Sequence, residues 1–207
     1  MNIQKLCTDI ATKEDGLEVI AILKKNNLWD DTKYWKLVGN NKDYNNHSII
    51  GSQQSNPANA LVEKLVNSGD SALMLNCLEK GIDPKSNEAP NNLKEAVATF
   101  FNVEDGRWID ADKTKKNQLA EKYCNLVVTG EKGTGANPTY TIIDSAEGQE
   151  PEDFKKTFLS LTQKNKSGIS FVQGKFGMGS YGAVNFCKVD GLQLILSKRN
   201  PSTLQKL

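Results

Sequence analysis

Residues 55–84 constrain the fold of this chain more than any other stretch. Ser55 or Asn56 supplies a helix cap, and Pro57 follows in the first turn, where the missing amide proton leaves no hydrogen bond unmade. Gly81 and Pro84 mark the other end. These signals predict a helix from Pro57 to Glu79. At roughly 100° per residue, such a helix holds Glu63, Asn67 and Asp70 within about 60° of one another. An acid, an amide and a second acid then share one face. Taken alone, that spacing also describes the solvated side of an amphipathic helix. Gly69 interrupts it at a cost of roughly 1 kcal/mol relative to Ala.

Two later segments belong with this face. Thr139-Tyr140-Thr141-Ile142-Ile143 is rich in β-branched and aromatic residues and reads as a strand running into Asp144-Ser145-Ala146-Glu147-Gly148. Further on comes Gly174-Lys175-Phe176-Gly177-Met178-Gly179-Ser180-Tyr181-Gly182-Ala183. Residues 180–186 are predicted to form a helix opening from that turn. Backbone amides close on phosphate oxygens only where no Cβ intervenes, and a helix N-terminus adds about half a positive charge. Each glycine-rich turn, taken singly, is equally a tight connection.

The order of these segments, an acid-and-amide helix, a strand ending in Asp and Gly, and a Gly-rich turn, resembles the GHKL ATPase superfamily. That superfamily includes DNA gyrase, the ninety-kilodalton heat-shock chaperone, MutL and the sensor histidine kinases. The wording of the last box is similar to that of the chaperone. The late segment, with Asn185-Phe186-Cys187 and then residues 194–201, resembles bacterial ATPases of the same superfamily. The resemblance implies an α/β, or α+β, two-layer sandwich in which helices cover one face of a mixed sheet. It implies Glu63 as the general base that orients the attacking water, and Asn67 as a ligand of Mg²⁺ through oxygen. Asp70 would support the nucleotide pocket, and Asp144 would accept a hydrogen bond from the adenine amine. Gly148 would belong to the adenine box, and Gly174, Gly177, Met178 and Gly179 to the phosphate box. ATP and Mg²⁺ are the implied ligands. Ala146 departs from the family's DxGxG, standing where a glycine is expected.

Composition sets the remaining bounds. The chain has 207 residues, 38% hydrophobic and 25% charged, enough for one sizeable core. Its 26 basic and 25 acidic residues leave a net charge of +1, so no global field draws it to nucleic acid or an anionic membrane. No apolar run approaches the roughly 20 residues that span a bilayer. Met1 to Ile10 lacks the apolar centre of a signal peptide, and a cytoplasmic location is expected. Cys7, Cys77, Cys124 and Cys187 form no CxxC pair and read as free thiols, although four would permit two disulfides. The single histidine, His47, lies in an Asn-rich stretch that reads as solvated loop, which argues against a zinc site or a His-based triad.

Elsewhere, residues 13–26 carry apolar positions at helical spacing, and residues 29–38 suggest a second short element. Helices are predicted over residues 93–101 and 115–123, joined to each other by residues 106–112. Residues 126–129 and 139–143 are predicted to pair as a hairpin, and residues 192–197 to form a final strand. The hairpin loop, Gly130-Glu131-Lys132-Gly133-Thr134-Gly135, lacks the spacing of a Walker A loop. Lys164, Lys166, Ser167 and Gly168 suit either closure over phosphates or an ordinary solvated loop. The expected organisation is a helical extension over residues 1–44 and an ATP-binding domain over residues 45–207. The superfamily's last strands and their phosphate-binding Thr are absent before Leu207, so a truncated member or an N-terminal part is expected. The implied function is slow, Mg²⁺-dependent ATP hydrolysis that drives conformational change in a larger machine, through a downstream domain, a protein partner or a second copy. A module that binds ATP without turnover, and a structural domain with no nucleotide site, are the alternatives.

Overall fold

The computed structural model describes residues 2–30, 35, 55–158, 166–174, 182–187 and 191–204. Its elements run α1 (Ile3–Ala11), α2 (Gly16–Lys25), α3 (Pro57–Glu79), α4 (Leu93–Phe101), α5 (Lys113–Tyr123), β1 (Cys124–Gly130), β2 (Pro138–Asp144) and α6 (Pro201–Leu204), with short 3₁₀ turns between them. The class is α+β. The expected mixed sheet is, among the described residues, a two-stranded antiparallel one.

Helix α3 begins as its sequence dictates. Asn56 Oδ1 accepts the amide of Ala58 at 2.8 Å, with Pro57 in the first turn. At its end, the Ile82 amide bonds back to the Cys77 carbonyl and the Gly81 amide to Leu78. The C-terminal half of α3 carries the core. Leu73 and Cys77 pack with Ala96, Val97 and Phe100 of α4, and Ile169, Phe171 and Val172 insert against them from a later segment. Phe171 is fully buried, edge-on to Phe100 with ring centroids 6.1 Å apart. Truncating a phenylalanine in such a place costs about 3–5 kcal/mol. Phe171 therefore fixes where the following residues, Gln173 and Gly174, meet α3.

A second cluster places the hairpin. Ala72 and Leu75 of α3 bury Tyr123, the last residue of α5. The Tyr123 hydroxyl and the Asn76 side chain exchange hydrogen bonds at 3.0 and 3.2 Å. Cys124 follows at once and opens β1, whose register pairs Cys124 with Asp144 and Gly130 with Pro138. Pinning Tyr123 to α3 thus also sets the far end of β2 beside α3. The strands are rich in Val, Ile and Thr, which suit a pleated surface. Leu126, Val128, Tyr140 and Ile143 remain exposed on them. The N-terminal helix pair meets the other end of the hairpin, where Thr139 Oγ1 donates to the Glu14 carbonyl at 2.7 Å.

Three predicted elements differ. Residues 13–26 form a helix only from Gly16, because Asp15 accepts the Leu17 amide and caps there; a separate α1 precedes it, capped by Asn2. Residues 192–197 carry no regular secondary structure and, among the described residues, lie in no strand ladder. Their anchors are instead a side-chain bond from the Gln149 amide to Ser197 Oγ and, just beyond, the Asn200 amide on the Glu147 carbonyl. Of the helix predicted over residues 180–186, the described part is a turn and a single 3₁₀ turn, Val184–Phe186. The predicted element at residues 29–38 falls mostly outside the described residues, as does His47; Trp35 is described, and its indole lies edge-on to Trp29 at 5.3 Å.

Candidate functional site

One buried carboxylate organises the first part of the site. Asp70 is 3% exposed. Its Oδ1 accepts the Gln173 amide at 2.9 Å, and its Oδ2 accepts the Gly174 amide at 2.8 Å. The Lys166 ammonium donates to Oδ2 at 3.1 Å. Charge-assisted bonds of this kind are the strong ones, and three of them engage both oxygens of the group. Asp70 therefore ties the start of the glycine-rich segment to α3, 104 residues away in sequence. Asn67, one turn earlier, closes on the same point. A Cβ built on Gly174 would fall 2.5 Å from Asn67 Oδ1 and 3.1 Å from Asp70 Oδ2, so any larger residue displaces the Asn67 amide. Asn67, Asp70 and Gly174 are brought together; Gly177, Met178 and Gly179 lie outside the described residues.

The second part sits on the neighbouring flank of α3. Ser68, buried at 4%, donates to Asp144 Oδ2 at 3.0 Å across 76 residues of sequence. Oδ1 of Asp144 has no hydrogen bond among the described residues. Burial of this carboxyl against α3 pushes its pKa up, and the Ser68 hydroxyl, which favours the charged form, works against that shift. Yet the residue as a whole is exposed. Desolvation is thus one-sided, protein towards α3 and open space on the other side, and the carboxylate remains reachable. The thiol of Cys124, across the ladder, is likewise pushed up, chiefly by burial and further by the Asp144 charge.

That open space is a cavity of about 350 Å³, lined by Asp144, Ser145, Ala146 and Gly148 on one side and by residues 196–201 on the other. Gly148 holds φ of +66°, and a Cβ there would lie 1.9 Å from the Lys198 carbonyl oxygen. No other residue permits the two backbones to cross so closely. Ala146 is buried beside them, and its methyl group is accommodated.

Glu63 is half-buried and makes no hydrogen bond or ion pair among the described residues. Its neighbour Lys64 is half-buried too, with Nζ 3.3 Å from Gln193 Oε1. Burial lowers the Lys64 pKa to about 8, against the opposing pull of Cys187 and Glu63. Sequence reasoning missed Ser68, although its place on α3 beside Asn67 was already fixed. It left Lys166 undecided; the hydrophobic Ile169-Ser170-Phe171-Val172 run just after it is the signal that the segment docks.

The donors near Asn67 bear on the implied metal. Both Asp70 oxygens are engaged by nitrogen donors, so the neutral Asn67 Oδ1 would be the oxygen offered to an implied Mg²⁺. Mg²⁺ suits that, because it keeps waters and substrate phosphates as most of its ligands. Among the described residues there is no group of three or more His, Cys, Asp or Glu able to hold a metal by themselves. No helix among them is long and apolar enough to cross a membrane.

Comparison of the chain with models of known families, with curated proteins and with solved structures finds no match.

Proposed function

We propose that this chain binds ATP with Mg²⁺ and hydrolyses it slowly, through a GHKL-type site on α3. One observation carries the reading. Within a single turn of one helix, Asn67 and Asp70 meet Gly174, and Ser68, about 100° round the helix from Asn67, holds Asp144. Both later segments singled out by sequence order are thus fastened to the same turn of α3, which supports a nucleotide site built around it.

In this reading the free oxygen of Asp144 accepts the exocyclic amine of adenine. A carbonyl at the same position, as in guanine, would meet it with repulsion. Asn67 holds Mg²⁺, which when bound supplies charge neutralisation at the phosphates. Asp70 touches no ligand; it presents the amides and the backbone around Gly174 at the correct depth. Gly177 and Gly179 donate backbone amides to phosphate oxygens, and Glu63 orients the attacking water for in-line displacement. Nucleotide binding would then bias the conformation or association of a larger assembly.

The alternative of binding without turnover is favoured by one feature. A general base is normally oriented by a further group, and Glu63 has none among the described residues. Turnover measured on the wild type and on Glu63→Ala separates the two. The proposal predicts that Glu63→Ala keeps its affinity for ATP and loses turnover by about 100-fold or more. Wild-type protein that binds ATP with no turnover above background would favour the sensor.

A further inference from the structure

Residues 196–201 form the far wall of the Asp144 cavity, and the manner of their attachment is unusual for a wall. Among the described residues no ladder holds the segment. Leu196, Ser197 and Lys198 are exposed, and a second cavity of about 320 Å³ lies behind them, lined by Pro151, Phe154, Ile195, Leu196 and Ser197. Open space on both sides leaves little packing to fix the position. Polar anchors fix it instead. The Asn200 amide donates to the Glu147 carbonyl at 2.9 Å, and the Gln149 amide donates to Ser197 Oγ at 3.1 Å. Arg199 is the centre of the arrangement. Its guanidinium pairs with Glu147 through one terminal nitrogen and with Asp153 through the other, the latter at 2.9 Å, and its side chain is only 15% exposed. Beyond the crossing, Ser202 Oγ reaches Glu79 at 3.0 Å and ties the segment back to the end of α3.

Glu147 stands between Ala146 and Gly148, so the ion pair is mounted on the turn that carries Asp144. A rigid, planar guanidinium with two carboxylates sets distance and angle together. We infer that residues 196–201 are a strap closing the base end of the nucleotide site, and that Arg199 is the positioning residue that sets its height above Asp144. The inference rests on the nucleotide reading given above and extends it to base selection. The cavity lies at the small end of ligand pockets, which start at roughly 300 Å³, and matches a nucleobase better than a whole nucleotide. With the strap held, a base at Asp144 is enclosed between Asp144 and Ser145 on one side and Leu196 and Ser197 on the other. With the strap loose, Asp144 still offers its oxygen but the opposite wall no longer excludes water or the wrong base.

The test compares wild type, Arg199→Met, Arg199→Lys and Asp144→Asn for affinity towards a non-hydrolysable ATP analogue and the matching GTP analogue, with Mg²⁺, each protein first shown folded by circular dichroism. Arg199→Met should bind the ATP analogue about tenfold more weakly and lose most of its preference over the GTP analogue, with Arg199→Lys recovering part of both. A change in overall stability alone would leave that preference intact in the folded fraction. Wild-type binding that Asp144→Asn abolishes but Arg199→Met leaves unaltered in strength and preference would overturn the strap while keeping the nucleotide site. Absence of wild-type binding would overturn the nucleotide reading and the strap with it.

Discussion

One aspartate on α3 and another packed against that helix live in opposite circumstances. Asp70 is almost wholly buried and accepts three donors, two backbone amides and an ammonium. Asp144 is exposed on one side and accepts a single hydroxyl. Three donors on a buried carboxylate make it a structural joint, because both oxygens are already engaged and removing it strands its partners. Partial satisfaction leaves an acceptor in reserve, which is what recognition of a donor group on a ligand needs. The two acids, alike in sequence, divide into support and contact by their surroundings.

The comparison breaks most directly at Asp70. Asp70→Ala leaves two amides and the Lys166 ammonium without their acceptor and should cost about 3–5 kcal/mol, lowering Tm by roughly 10 °C in a thermal scan. Asp144→Asn should shift Tm by less than about 3 °C, yet weaken ATP binding by tenfold or more, which is about 1.4 kcal/mol or above. If the two variants instead lose equal stability, the division of roles is wrong. Ser68→Ala removes the one hydrogen bond of Asp144 for about 1 kcal/mol of stability.

The pH dependence sharpens the contrast. Because the folded pKa of Asp144 is raised, ionising it costs the folded state. Its contribution to stability is present in full below the ordinary carboxylate range and is lost as pH rises through the folded value. Binding runs the other way, since the ionised acceptor is the one that receives the adenine amine. Affinity should fall on acidification through that raised pKa, earlier than an ordinary aspartate would produce. In Ser68→Ala the fall should move to still higher pH, because the opposing hydroxyl is gone; calorimetric titrations at several pH values read this.

The smallest effect is expected at Lys64. Its pKa is lowered to about 8 by burial, so the charged form is disfavoured in the fold. The penalty is complete below pH 8 and disappears as pH rises towards the unfolded value. Lys64→Met should therefore raise Tm at pH 7 by a few degrees, with the gain shrinking in alkaline buffer. A loss of stability at pH 7 would mean that the bond to Gln193 outweighs the desolvation.

Much of this was legible in the residues. Asn56, Pro57 and Gly81 are local signals, and they placed α3; the β-branched runs placed the hairpin, and residues 93–101 read as the helix α4. The common face of Glu63, Asn67 and Asp70 follows from helical rotation alone. The partner of each was not legible, because that depends on contacts between distant segments. Nothing near Ser68 says that it meets Asp144; the meeting depends on Tyr123 being pinned to Asn76 and on the hairpin register that follows. The misread segment, residues 192–197, has a sound strand pattern, but a ladder also needs the segment to be brought alongside a strand edge. Here Arg199 and Asn200 fasten the chain to the turn at residues 146–149 instead.

The central claim is that Asp144 is the contact acid of an ATP site. Titration calorimetry of the purified chain with a non-hydrolysable ATP analogue and Mg²⁺, repeated on Asp144→Asn, tests it most directly. The account predicts binding in the micromolar to millimolar range that the substitution abolishes while the protein stays folded. A folded wild type that does not bind, or an Asp144→Asn protein that binds equally well, would contradict it.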